Sequence, residues 1–195
     1  MRVLALASIF VFAALLFAAP APAQKVELFG GYSFVRAPVT FSQIAGTCAL
    51  PCTPTNTTPT LNLNGWEASG ALKVFGPLAL AADFDGTRGS FQGASTHLNT
   101  YLFGPQLRLP GPISLFGHAL IGDAHESIHG GISGGGLITT GPTQNAFATA
   151  LGGGLDLHLL PFISLRAVQV DYLYTHFNST KQNQPRISAG LVVHF

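Results

Sequence analysis

The segment GDAHES, at positions 122–127, carries residue types that together can perform acyl transfer. Asp123, His125 and Ser127 occupy alternate positions. A histidine can act as the general base for a serine hydroxyl, and an acidic side chain can orient the histidine. On a strand the chain rises about 3.3 Å per residue, which holds Asp123 well back from His125. One hypothesis is therefore a hydrolase with Ser127 as nucleophile, His125 as base and an acid from elsewhere.

Histidines are a second source of possible chemistry, because the chain has seven. A bound zinc ion needs three or four ligands within about 2 Å of one point. Four histidines fall at or beyond the same end of the alternating segments described below: His97, His125, His129 and His176. Their spacing in the sequence does not require them to converge on one point. The Gly-rich sequence after His129 also argues against a helix that would place two of them on one face. No metal or cofactor is predicted, and polar surface residues are the simpler interpretation.

The N-terminal sequence indicates that the chain is exported from the cytoplasm. Arg2 precedes an uncharged apolar run, VLALASIFVFAALLFAA, and APA at 21–23 matches a signal-peptidase site. A membrane-anchoring helix is the alternative, but no charged flank follows the run. We predict a cleaved signal peptide at 1–23 and one mature domain at 24–195. A secreted chain can keep disulfides, so Cys48 and Cys52 are predicted to form a local bridge.

The composition is unusual for a water-soluble domain. Charged residues make up 9% of the chain and hydrophobic residues 47%, with 23 Gly and 15 Phe. Ordinary globular domains are about 25% charged. The net charge is +1 and there is no basic patch, which argues against a nucleic-acid partner.

Alternation of apolar with small or polar residues recurs after residue 23, whereas helical periodicity is scarce. The seventh such segment changes phase, which predicts a β-bulge near Ala167–Val168. Eight segments alternate, at 25–36, 64–75, 78–87, 98–109, 113–125, 146–159, 163–177 and 187–195.

The connections between these segments also alternate. Short Pro/Gly breaks fall at 76–77, 110–112 and 160–162, and longer polar segments are predicted at about 37–61, 88–96, 125–145 and 178–184. Short turns at one end and long loops at the other are typical of outer-membrane barrels. A soluble β-sandwich of these strands would expose many uncharged residues to water, and the chain has too few charged residues for such a surface. We therefore predict an all-β fold, an eight-stranded antiparallel transmembrane up-and-down β-barrel.

In such a barrel the apolar side chains face lipid and the sparse charges point inward. An eight-stranded barrel has an interior just wide enough for side chains, so the charges are predicted to form an ion-paired plug. The predicted network comprises Glu27, Glu67, Lys73, Asp83, Arg108, Asp156, Arg166, Asp171 and Arg186. His118, His158 and His194 share the inward parity.

The last segment, ISAGLVVHF, ends in Phe195 and resembles the signal read by the bacterial barrel assembly machinery. The mature chain resembles the small OmpA/OmpX-like outer-membrane β-barrel family. That resemblance implies a bacterial outer-membrane location, periplasmic termini, four external loops, and outer-membrane lipid and lipopolysaccharide as surroundings. It also gives the hydrolase hypothesis a parallel, because outer-membrane lipid hydrolases are similar in carrying a His and a Ser two residues apart on the outer face.

The first functional prediction is a non-enzymatic outer-membrane barrel with a structural or surface-interaction role. The first alternative is a narrow gated pore, although channels with a wide lumen use 16 or more strands. The second alternative is the lipid-modifying hydrolase built on Ser127.

Overall fold

The computed structural model describes residues 26–38, 41–44, 55–57, 60–91, 94–109, 111, 113–129, 132–133, 136–138, 143–177 and 180–195. The predicted signal peptide and the predicted Cys48–Cys52 bridge lie outside these ranges. Within them, no helix is long and apolar enough to cross a membrane.

Eight long strands form a closed antiparallel barrel. The barrel strands are β1 (Val26–Pro38), β4 (Thr60–Phe75), β5 (Leu78–Phe91), β6 (Ala94–Leu109), β7 (Ile113–His129), β10 (Gln144–Leu160), β11 (Ile163–Phe177) and β12 (Thr180–His194). Their order around the barrel is β1-β12-β11-β10-β7-β6-β5-β4, which confirms the predicted fold class. A separate small sheet contains β2 (Phe41–Ile44), β3 (Thr55–Thr57), β8 (Ile132–Ser133) and β9 (Gly136–Ile138).

The first and last strands close the barrel. The Val26 N–H donates to the Phe195 carbonyl at 3.1 Å, and the Phe195 N–H donates to the Val26 carbonyl at 2.8 Å. Closure leaves the sheet without an edge, so the backbone groups of the strands are paired within the barrel. Phe195 therefore lies on the outer face of the rim, 69% exposed.

The two ends of the barrel differ. The turn end carries the short connections at 76–77, 110–112 and 161–162 together with Val26 and Phe195. Gly76 has a φ of 54°, a left-handed conformation that glycine adopts without strain, and Pro77 follows it. The loop end carries the four other connections.

Two of the four predicted long loops are wrong. β5 continues to Phe91 and pairs with Ala94, and β11 continues to Phe177 and pairs with Thr180. The segments predicted as loops at 88–96 and 178–184 are thus mostly strand, with connections at 92–93 and 178–179. Polar residues extend these strands because the outer face of the barrel can meet water beyond the apolar band.

The predicted bulge in the seventh segment is confirmed. Leu155 pairs with Val168 but Asp156 pairs with Arg166, so Ala167 is an extra residue in β11. The register with β12 shifts at the same place. The bulge changes the parity of β11, which lets Arg166 and Asp171 both face inward.

The outer face is apolar over most of the barrel height. Large side chains such as Leu151 and Phe162, each 68% exposed, cover it on every barrel strand. Aromatic rings mark the side of this band towards the loop end: Tyr32, Trp66, Tyr101, Phe147 and Tyr172. Small residues and the charged groups face inward, as the alternation predicts.

Candidate functional site

The inward charges nearest the turn end form a lower network around two arginines. Arg108 binds Glu27 at 2.7 Å and Asp156 at 2.8 Å. The Arg166 Nε also donates to Asp156, at 2.9 Å. The Arg166 guanidinium lies 4.3 Å from the ring centre of Phe29 and 4.2 Å from that of Phe116. This stack of a cation between two rings fills the lumen at that height.

An upper network surrounds Arg186, which is completely buried. Its Nη1 donates to Asp83 at 2.7 Å, and its Nη2 and Nε donate to Asp171 at 2.6 and 3.0 Å. The Arg186 Nε also lies 3.7 Å from a Glu67 oxygen. His118 Nε2 lies 2.7 Å from the second Asp171 oxygen. Arg186 therefore holds carboxylates from three different strands together.

Gln169 joins the two networks. Its carbonyl oxygen accepts from Arg166 Nη1 at 2.7 Å, and its amide donates to Glu67 and Asp171, both at 2.8 Å. The Ser188 hydroxyl donates to the other Glu67 oxygen. Neither Gln169 nor Ser188 is among the predicted network residues. Gln169 shares the inward parity of Asp171, but inward parity alone does not show that an uncharged glutamine or serine takes part in an ionic network.

The structure brings eight of the nine predicted network residues into these contacts and leaves Lys73 apart. Lys73 is exposed at the turn end. It faces inward by parity, but so close to the rim that its side chain reaches water. His194 lies there too, with Nε2 2.8 Å from the Ser164 hydroxyl and Nδ1 3.7 Å from Glu27. His158 stacks on His194 with ring centres 5.5 Å apart.

Glycines make room for these side chains. In the run Gly152–Gly154, a Cβ at Gly152 would collide with Asp171 and one at Gly154 would lie 2.8 Å from the Phe116 ring. Both glycines face inward. A larger residue at either position would displace a group that pairs with an arginine or stacks on one.

The interior towards the loop end is mainly aliphatic, with buried side chains such as Thr96, Thr175 and Gln184 among the apolar ones, and this packing was not predicted from the sequence. Leucine, valine, alanine and isoleucine side chains pack there from seven of the eight strands: Val35, Ala37, Leu61, Leu63, Ala81, Leu98, Leu102, Leu120, Ala124, Ile128, Ala146, Ala148, Ala150 and Leu173. This apolar cluster closes the lumen on the loop side of the upper network. At the turn end a cavity of about 840 Å³ opens between residues such as Glu27, Lys73 and His194.

The outer surface just beyond the aromatic rings carries the residues of the hydrolase hypothesis. Ser127 pairs in register with His97, and His125 pairs with Asn99 and Asn145. The Nδ1 of His125 lies 2.5 Å from the Asn145 side-chain oxygen. An amide, not a carboxylate, thus occupies the position of the orienting acid.

We expect Ser127→Ala to leave the lipid A profile of the host membrane unchanged. The partner of His125 is the Asn145 amide, which carries no charge and so cannot stabilise His125 as a general base in the way a carboxylate would. Mass spectrometry of extracted lipid A checks this expectation. Loss of a deacylated species in the Ser127→Ala strain, but not in a Ser90→Ala strain, would restore the hydrolase hypothesis.

Three of the four histidines of the metal hypothesis have described side chains: His97, His125 and His129. His97 and His129 lie edge to face with ring centres 5.7 Å apart. Among the described residues, no three His, Cys, Asp or Glu side chains converge in a metal-binding arrangement. The side chain of His176 lies outside the described set.

Comparison with known proteins identifies the fold. No protein-family model matches the chain, and no curated protein matches its sequence. The structure of Ail, the attachment invasion locus protein of Yersinia pestis, matches 89% of this chain and 100% of its own, at 17% identity and a TM-score of 0.56. Neisserial surface protein A (NspA) matches 87% of this chain and 97% of its own, at 13% identity and a TM-score of 0.60.

A second Ail structure, in complex with the heparin analogue sucrose octasulfate, matches with a TM-score of 0.55 at 16% identity. These proteins are small eight-stranded outer-membrane barrels. In fold, the chain is a closed eight-stranded antiparallel β-barrel, similar to those of Ail and NspA.

Proposed function

We propose that the chain is a non-enzymatic integral protein of the bacterial outer membrane that presents its loop end to lipopolysaccharide and other external polyanions. The observation that carries the proposal is the closed barrel with an apolar outer face and an ionic interior. In hydrocarbon a sheet must have no edges, and its outward side chains must carry no charge. The described outer face meets both requirements between Phe195 and the aromatic rings.

The orientation follows from the two ends. Small outer-membrane barrels have short periplasmic turns and longer external loops. The turn end, with Phe195, is therefore assigned to the periplasm, and Phe195 is proposed as the signal for the barrel assembly machinery. Cell fractionation combined with gel mobility before and after heating tests location and barrel together. A chain found in the soluble fraction, with the same mobility heated or unheated, would refute the assignment.

The packed lumen favours a structural or interaction role over a pore. The Arg166 stack, the Arg186 network and the apolar cluster together occupy the lumen from near the turn end to near the loop end. An ion crossing this path would have to break buried ion pairs and then pass closely packed, mainly aliphatic side chains. Eight strands leave no spare interior volume to bypass them.

We expect purified barrels in planar bilayers to show no unitary conductance above the bare-membrane leak. The matched control is an Arg166→Ala variant, which removes the cation between the two rings but leaves the apolar cluster in place. It should also remain closed, because the cluster by itself excludes hydrated ions. Discrete channel openings in the unmodified protein would favour the gated-pore alternative.

The loop-end surface supports the proposed polyanion partner. Arg36 and Arg88 are exposed on the outer face beyond the aromatic rings. Asn64, Arg88, His97 and Ser127 are register neighbours across four adjacent strands, so they form one polar row. Phosphates on a lipid sugar would meet these groups where the apolar band ends. Ail, which shares the fold, is known in complex with a sulfated sugar.

We expect the double variant Arg36→Gln/Arg88→Gln to bind immobilised lipopolysaccharide roughly threefold to tenfold more weakly, since exposed ion pairs contribute about 0.2–1 kcal/mol each. Added salt should reduce the difference by screening. Lys73→Gln is the matched control, because it removes an exposed cation at the opposite end. Equal loss in both variants would show that net charge, not this surface, governs binding.

A further inference from the structure

We propose that the barrel interior holds one divalent cation with oxygen ligands, bound by Asp85 and Asp83 together with the hydroxyls of Thr100 and Ser33. Calcium is the ion that best fits this ligand set. The site lies between the upper network and the apolar cluster. It is independent of the polyanion role proposed above.

Asp85 is the origin of the inference. Its side chain is 2% exposed, and among the described residues no arginine, histidine or backbone N–H donates to its carboxylate, which has the Ser33 hydroxyl as its hydrogen-bonding neighbour. The first oxygen of Asp83 accepts from Arg186, and the Asp83 carboxyl also lies beside that of Glu67. A buried carboxylate with no cationic partner is strongly destabilising, so such groups in folded proteins are paired or bind metal ions.

Two buried hydroxyls accompany these oxygens. Thr100 is the register partner of Asp85 on β6, and its hydroxyl is fully buried with no hydrogen-bond partner. The Ser33 hydroxyl lies within hydrogen-bond reach of Asp85. The register neighbour of Ser33 on the intervening strand is Gly65, which has no side chain to separate the two groups. Carboxylate and hydroxyl oxygens are hard ligands of the kind that calcium takes in irregular arrangements.

The difference between the numbers of buried acidic and basic side chains indicates the charge of the proposed ion. In the lower network Arg108 and Arg166 are matched by Glu27 and Asp156. Around Arg186, in contrast, four buried carboxylates face one arginine and one histidine: Glu67, Asp83, Asp85 and Asp171 against Arg186 and His118. With all four carboxyls ionised and His118 protonated, two negative charges remain in excess. One divalent cation neutralises that excess.

The position of the site also predicts how the ion enters. The apolar cluster separates it from the loop end, and the Arg166 stack repels cations arriving from the turn end. We therefore expect the ion to be taken up as the barrel closes and to exchange slowly afterwards.

The test measures metal content after folding. The chain is refolded from urea into detergent with millimolar calcium and without lipopolysaccharide, then passed over a chelating resin and assayed by elemental mass spectrometry. The unmodified protein should retain about one calcium per chain, and Asp85→Asn should retain at least tenfold less. Asp123→Asn, which removes an exposed carboxylate on the outer face, should retain calcium normally.

Folding of each variant is verified by heat-dependent gel mobility. If Asp85→Asn does not fold, Thr100→Val removes one proposed ligand at nearly constant shape and should lower calcium retention. No retained divalent cation in the unmodified protein would overturn the proposal and indicate protonated carboxyl groups instead. Equal retention in the unmodified protein and in a folded Asp85→Asn or Thr100→Val variant would overturn it too.

Discussion

Replacing Arg186 with methionine is expected to lower the free energy of unfolding by roughly 3–5 kcal/mol, the usual effect of removing one partner from a buried ion pair. Methionine fills much of the same volume, so the loss is electrostatic more than steric. Asp83 and Asp171 would each lose a donor at 2.7 Å or less. Their charges would remain in an interior that Arg186 no longer neutralises. Denaturant titration of the detergent-folded barrel, followed by gel mobility, measures the change.

Arg88→Met is the matched control, because the same substitution then removes an exposed arginine from the outer face. Surface changes of this kind usually alter stability by no more than about 0.5 kcal/mol. Adding Asp171→Asn to Arg186→Met should recover part of the loss, since one stranded charge is removed. Identical unfolding midpoints for Arg186→Met and Arg88→Met would contradict the assignment of Arg186 as the organising cation.

Placing an arginine at Leu151 should cost about 2–4 kcal/mol if the outer face lies in hydrocarbon, as measured for arginine near the bilayer midplane of other barrels. Leu151 is 68% exposed and lies between Phe147 and Leu159 on the outer face of β10. In water an exposed leucine-to-arginine change would be nearly neutral. The sign and size of the effect therefore report directly on the solvent around the barrel. Folding into liposomes, followed by urea titration, provides the measurement.

Asn183→Arg is the companion variant, because Asn183 is exposed on the outer face of β12 beyond the apolar band. It should fold and unfold almost like the unmodified protein. A Leu151→Arg variant that matched it would mean that this face does not contact lipid.

The sequence predicts the barrel well because lipid imposes a strict rule on the outer face. An apolar residue is needed at every second position, so the strands and even the Ala167 bulge leave a visible pattern. The rule stops where the barrel leaves the membrane. Polar segments such as 88–91 and 180–184 look like loops in sequence, yet their backbones continue the sheet.

The contacts inside the barrel are harder to predict from the sequence. The position of a residue in the alternating pattern shows whether its side chain faces inward, but not which side chain it contacts. Asp85 shares the parity of Asp83, and nothing in the sequence shows that Asp83 binds Arg186 while Asp85 has a serine hydroxyl as its hydrogen-bonding neighbour. Lys73 shares the inward parity but lies near the rim. The inward leucines, Leu63 and Leu102 among them, sit on strands whose outer face is apolar as well, so alternation does not reveal them.

The small sheet at the loop end joins two connections that are remote in sequence. β2 follows β1 and β9 precedes β10, yet Gln43 pairs with Ile138 and Ile44 with Leu137. One connection joins β1 to β4 and the other joins β7 to β10, and these two strand pairs face each other across the barrel. An antibody or phage protein that binds one of the two connections would therefore contact the other as well, so its epitope would be conformational and would combine both segments. Escape from such a binder could arise by mutation in either segment, and peptides copied from one segment alone would mimic it poorly.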